Sequence, residues 1–198
     1  MKHGYLVAAA LFAGIVAALA ATLPEPFPFE TALIRAAGAA RGGWQETLAL
    51  VLHYIGKYAV FFVPLLGAAY FWRGQRRMAA YVVAVPGLAA LASSALKHAF
   101  ARVRPDILPH LVDEGSASFP SGHSTFAAAF ALLFILRHPR PAVIVAGALF
   151  ILAMGWSRLL LGVHYPVDVL AGWSVGAAMA CAGYALLSPK EKSKNPFL

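Results

Sequence analysis

Apolar stretches of about 20 residues recur along this chain, and that is the length the hydrocarbon core of a bilayer demands of a helix. They cover roughly residues 4–23, 48–72, 78–96, 124–136, 142–156 and 167–187, the fourth being short unless its helix begins inside the preceding loop. Backbone amides have no water to bond in hydrocarbon, so each such stretch reads as a helix. Composition agrees, with 61% hydrophobic residues, 12% charged residues and a mean hydropathy of +0.71. The expectation is therefore an all-α bundle of six transmembrane helices, one transmembrane domain over residues 1–188. Residues 189–198, with Pro189 and alternating lysines, read as a frayed cytoplasmic tail.

Alternate connections between the runs carry the basic clusters. Lys2 and His3 come first, then Arg73, Arg76 and Arg77, then Arg137 and Arg140, and finally Lys190, Lys192 and Lys194. The positive-inside rule turns these toward the cytoplasm and the other connections outward. A formal charge of +8 spread in this way suits membrane orientation and an anionic head group rather than a nucleic-acid footprint. With Cys181 as the lone cysteine, neither a disulfide framework nor a thiolate metal site arises. Lys2, the first run and Ala18-Leu19-Ala20 also resemble a secretory signal peptide, but the run is long for one, so a retained helix is expected. Cleavage would leave five spans in the same orientation. The outer segment 25–43 contains residues 30–35, which suit a short amphipathic helix at the interface; its simplest role is connection.

Three polar clusters stand out, because ionisable groups near a membrane are costly unless they line water, pair or bind something. They are Lys97 with Arg104-Pro105, then Pro120-Ser121-Gly122-His123, then Ser157-Arg158 with His164 and Asp168. The topology brings all three to the outer helix ends. Lys97, Arg104 and Arg158 with two histidines and one carboxylate describe a pocket for a tetrahedral oxyanion. Ser121, Gly122 and His123 precede the fourth run, so their amides point from a helix N-terminus, a ready anion site. His164 and Asp168 are spaced i, i+4, close enough for the carboxylate to fix one ring nitrogen and leave the other as nucleophile. His123 is then free as general acid. No metal is expected, since three cations oppose a divalent ion and the usual zinc spacings are absent.

In these three clusters, taken in order, the chain closely resembles the type-two phosphatidic acid phosphatase superfamily, which includes bacterial lipid phosphatases and soluble vanadium haloperoxidases. The resemblance implies that His164 attacks phosphorus, Asp168 orients it and His123 protonates the leaving group. It also implies that Lys97, Arg104 and Arg158 hold the phosphoryl oxygens, assisted by Ser121 and the Gly122 backbone, without a cofactor. The implied substrate is a lipid phosphate at the outer face of a bacterial cytoplasmic membrane. Undecaprenyl diphosphate comes first, ahead of phosphatidylglycerol phosphate, phosphatidic acid and lipid A, and no obligate protein partner is implied.

Lys57, inside the second run, is a candidate second phosphate contact, and His53 one turn earlier faces the same choice between pocket and interface. His98, Arg102, Asp106, His110, Asp113 and Glu114 read as loop surface. The reading from a different class is a small membrane transporter, whose binding groups would sit at the midplane rather than at one end.

Overall fold

The computed structural model describes residues 2–23 and 26–187; the expected tail 189–198 and its lysine cluster lie outside them. The described residues form eight helices: α1 (Lys2–Ala20), α2 (Pro28–Gly38), α3 (Trp44–Lys57), α4 (Ala59–Trp72), α5 (Arg76–Phe100), α6 (Gly122–Arg137), α7 (Pro141–Leu160) and α8 (Pro166–Leu187). α1, α5, α7 and α8 are each long and apolar enough to cross a membrane. The second apolar run, expected as one helix, is broken: α3 and α4 meet at Tyr58 with a 60° bend. The break leaves Lys57 in the last turn of α3, where the helix dipole favours a cation, instead of in the middle of a straight span. α6 begins two residues before the apolar run does, at Gly122, and its 16 residues rise only about 24 Å, short of the ~30 Å hydrocarbon core.

α8 is the central element, with α1, α5 and α6 packed around it. Its contact with α6 is closest because Gly172 and Gly176 lie one turn apart on the shared face. A Cβ at either would run into the α6 backbone at Ser121 and Thr125. Small residues at this spacing allow two membrane helices to approach backbone to backbone. The amide of Ser121 consequently donates to the carbonyl of Asp168 (2.9 Å), tying the start of α6 to the start of α8. At the opposite end Tyr5 meets Tyr184 edge to face (4.7 Å), so the N-terminus of α1 lies at the C-terminal end of α8. Arg73, Arg76, Arg77 and Arg137 gather at that same end, around the α4–α5 turn.

The segment expected to be simply a connection is instead a packed element. α2 buries Ile34 and Ala37 against Leu160, Leu161 and Val163 beneath the site. Burial of an isoleucine side chain contributes about 1.5–3 kcal/mol, which anchors a helix too short to stand alone. The carboxylate of Glu30 accepts from the amide of Phe27 (2.9 Å) at the start of α2 and from that of Val167 (3.1 Å) at the start of α8. Arg41, just beyond α2, donates to the carbonyls of Leu160 (2.8 Å) and Pro109 (3.0 Å), satisfying acceptors left open at the end of α7 and in the long loop.

Candidate active site

The C-terminal ends of α5 and α7 and the N-terminal ends of α6 and α8 point the same way, and the loop of residues 101–121 folds over them. That geometry gathers Lys97, Arg104, His123, Arg158, His164 and Asp168. The pocket they line is deeply buried: His164 is 1% exposed, and Arg158 and Asp168 are fully covered.

His164 sits in the α7–α8 turn, and its two ring nitrogens face different partners. Nδ1 lies 3.6 Å from Asp168 Oδ2 and 3.4 Å from Ser118 Oγ, while Nε2 lies 3.3 Å from Arg104 Nη1. Burial pushes the imidazole down to about 4 against the opposing pull of Asp168, so the ring is neutral at ordinary pH. Arg104 has donors only, so Nε2, the nitrogen turned to it, carries the ring's lone pair.

Asp168, in the first turn of α8, is held on every side. Oδ2 accepts from Ser118 Oγ (2.5 Å) and the amide of Tyr165 (2.8 Å), and Oδ1 accepts from Arg102 Nη1 (2.7 Å). Arg102 also lies 3.6 Å from Glu30 and 4.1 Å above the Tyr165 ring. This corrects the sequence reading of Arg102 as loop surface. The αL conformation of Ala101 (φ 45°) ends α5 and turns the following residue inward, where it is 5% exposed. Two buried carboxylates thus share one buried guanidinium, and removing Arg102 would leave both negative charges uncompensated in the interior.

The phosphate-binding candidates converge from three directions. Arg104 donates to the carbonyls of Val163 (2.7 Å) and Ser116 (2.9 Å), which fix its plane beside His164. Burial lowers its pKa, offset by Glu114 and Asp168, and it remains a cation. Lys97 donates to the carbonyl of Ala117. Arg158 places Nε and Nη2 on Ser157 Oγ (3.1 and 3.0 Å) and Nη1 on His53 Nδ1 (3.2 Å). Ser121 is fully buried as the N-cap of α6, its hydroxyl accepting from the amide (3.4 Å) and hydroxyl (3.0 Å) of Ser124. The helix start is thereby fixed and its first amides, at Gly122 and His123, have no partner within the helix.

His123 lies under α3. Its Nε2 donates to the carbonyl of His53 (3.0 Å), which as a pure acceptor assigns the proton to that nitrogen, and Nδ1 faces inward. The rings of His53 and His123 stack at 5.0 Å. Gly56 permits this, since a Cβ there would collide with the His123 ring. His53 is thus a pocket residue and not an interface one. Lys57 is exposed and lines an apolar groove of about 300 Å³ with Val60, Val63, Pro64, Val83 and Phe126, reaching the site at Gly122.

Glu114 is the second residue misassigned to loop surface. Its carboxylate lies 3.6 Å from Arg104, 4.0 Å from Arg158 and 3.7 Å from Nδ1 of both His53 and His123. His98, Asp106, His110 and Asp113 are exposed as expected. His53, Glu114 and His123 form a cluster with donor atoms within 4.8 Å of one another, but the His53 lone pair is already engaged by Arg158, a cation that opposes a metal. An extended loop carries residues two apart on one side, so Arg102 and Arg104 were detectable as a pair. Nothing in the sequence signalled Glu114.

The PAP2 superfamily pattern matches residues 78–192. Phosphatidylglycerophosphatase B of Bacillus subtilis is 36% identical over 160 residues, covering 74% of this chain and 77% of that enzyme. A putative undecaprenyl-diphosphatase of Escherichia coli K12 is 32% identical, covering 67% and 69%. A lipid A 1-phosphatase of Rhizobium johnstonii is 38% identical over 50% of this chain and only 43% of its own length. Among solved structures, a transmembrane PAP2-type phosphatidylglycerolphosphate phosphatase from Bacillus subtilis superposes with a TM-score of 0.76 at 28% identity, covering 86% of this chain and 91% of the other. LpxE of Aquifex aeolicus shares the fold, with a TM-score of 0.67 at 24% identity over 79% and 95%. The chain belongs to the PAP2 superfamily, as a phosphate-ester hydrolase of its membrane lipid-phosphatase kind.

Proposed function

We propose that this enzyme hydrolyses a lipid phosphate or diphosphate through a phosphohistidine on His164, and that undecaprenyl diphosphate, converted to undecaprenyl phosphate, is its main substrate. The observation that carries the mechanism is the division of the His164 ring, with Nδ1 toward Asp168 and Nε2 toward Arg104. Nε2 attacks phosphorus while Lys97, Arg104, Arg158 and the α6 N-terminus, capped by Ser121 and opened by Gly122, hold the phosphoryl oxygens. Charge and positioning supply most of the rate in such a transfer. His123, its Nε2–H kept on His53, takes a proton at Nδ1 as the phosphate anion enters and delivers it to the leaving oxygen. The neutral ring then takes a proton from water, which attacks phosphorus and breaks the P–N bond.

The substrate reading rests on the groove beside Gly122, which suits a prenyl or acyl stem, and on Lys57 at its wall. A diphosphate carries a second phosphate that the three cradle cations cannot also serve. Phosphatidylglycerol phosphate and lipid A, in keeping with the relatives' names, and phosphatidic acid remain the alternative substrates. Purified protein should release phosphate from undecaprenyl diphosphate faster than from these, and failure on every lipid phosphate would end the reading. Lys57→Met keeps the apolar stem and loses the ammonium. It should weaken activity on the diphosphate roughly tenfold more than on phosphatidic acid, as expected for one charge-assisted contact. Equal losses on both would assign Lys57 to the common phosphate site.

The same proposal includes six membrane passages, with α3 and α4 counted as one bent passage and α6 as a short one, and a site on the outer face of the bacterial cytoplasmic membrane. The arginines gathered at the end opposite the site support that orientation. In a Cys181→Ser background, Gly115→Cys and Asp106→Cys, both exposed at the site end, should react with an impermeant thiol reagent from outside intact cells. Gln75→Cys at the other end should not, and the reverse pattern would turn the site to the cytoplasm.

A further inference from the structure

Glu114 brings a negative charge in among the cations that, on the function proposed above, receive the phosphate. One oxygen lies 3.6 Å from Arg104; the other lies 4.0 Å from Arg158 and 3.7 Å from the inward nitrogens of His53 and His123. The carboxylate thus spans the gap between the arginine beside the nucleophile and the histidine that serves as acid. The two arginine distances are those of ion pairs and not hydrogen bonds, the two histidines turn lone pairs toward the carboxylate, and Oε1 is buried without a hydrogen-bond partner. A structural carboxylate in this protein looks different: Asp168 accepts bonds at 2.5, 2.7 and 2.8 Å. Glu114 is attracted by its surroundings but not fastened to them. Its side chain is 17% exposed and sits in the long loop between α5 and α6, so it has a route out to water.

We propose that Glu114 is a specificity-determining residue that occupies the phosphate seat in the free enzyme and must be displaced by the substrate. This rests on the cradle binding phosphate, as argued above. The consequence is a charge threshold. A terminal phosphate or diphosphate brings two or more negative charges and three oxygens to Lys97, Arg104 and Arg158, enough to replace a single carboxylate. A phosphodiester head group, with one charge and fewer free oxygens, is a poor competitor for the same arginines. The surrounding bilayer is made of such diesters at far higher concentration than any substrate. An internal anion of matching charge keeps them out of the seat, so the discrimination comes from competition as well as from fit.

The test is Glu114→Gln, nearly the same shape without the charge, read first without turnover. Inorganic phosphate should protect purified wild-type protein against thermal unfolding, and should do so at about tenfold lower concentration in the variant. In assays on a lipid phosphate, the inhibition constant for inorganic phosphate should fall by a similar factor. Phosphatidylglycerol, a phosphodiester, should inhibit the variant clearly more than the wild type. Glu114→Ala should behave as Glu114→Gln does, and Glu114→Asp should keep the wild-type threshold. Unchanged phosphate protection and inhibition in Glu114→Gln would overturn the proposal, as would a loss of turnover with no change in either. Wild-type protein that phosphate neither protects nor inhibits would instead count against the phosphate cradle itself.

Discussion

His164→Ala is expected to abolish turnover, by on the order of 10⁴-fold or more, while leaving the protein folded and able to bind inorganic phosphate. Folding should survive because the ring is neutral in place: burial holds its pKa near 4, so its removal strands no charge. Asp168 keeps Ser118, Tyr165 and Arg102 as partners without it. The cradle also remains, since Arg104 is fixed by the carbonyls of Val163 and Ser116 rather than by the histidine. Wild-type enzyme quenched during turnover of a labelled lipid phosphate should carry label that acid releases and base does not, as a phosphoramidate does. The variant should carry none. With His164 as the nucleophile, the low pKa adds a pH signature: the acid limb of the activity profile should fall as pH drops through about 4. Label or substantial turnover in His164→Ala would move the nucleophile elsewhere.

The apolar runs and the three polar clusters were legible because each rests on something local. Length and polarity mark a span, and a basic residue at the end of an apolar run is an anomaly that asks for a cause. Where the reading failed, the deciding contacts lie far apart in sequence. Arg102 is 66 residues from Asp168, and Glu30 is 137 from the Val167 amide it binds. Whether a loop charge turns inward depends on the left-handed turn at Ala101 and on α2 closing over it, and neither leaves a pattern in the sequence. The bend at Tyr58 was hidden for another reason. In an apolar stretch bordered by lipid and protein alike, periodicity says little, and Gly56 acquires its meaning only from the His123 ring that arrives from α6.

Those distant contacts make the Asp168→Asn substitution more damaging than the loss of one charge would suggest. The carboxylate offers acceptors on both oxygens: Oδ1 to Arg102, and Oδ2 to Ser118 and the Tyr165 amide, with His164 Nδ1 at 3.6 Å. An asparagine has one acceptor and one donor. If its oxygen faces Arg102, its NH₂ meets the Tyr165 amide and can donate to His164 Nδ1. The imidazole would then carry its proton on Nε2, and the attacking lone pair would be gone. If the oxygen faces Tyr165, the NH₂ meets Arg102 donor to donor, and the buried guanidinium loses a counter-charge. Either orientation also removes the negative charge that supports the ring as it bonds to phosphorus. The rate should fall by about 10³–10⁴-fold, the scale seen when a histidine-orienting carboxylate is neutralised. Affinity for inorganic phosphate should change far less, because the cradle cations are untouched. A loss below about tenfold would reduce Asp168 to a cap of α8, whereas phosphate affinity falling in step with the rate would assign it to phosphate binding.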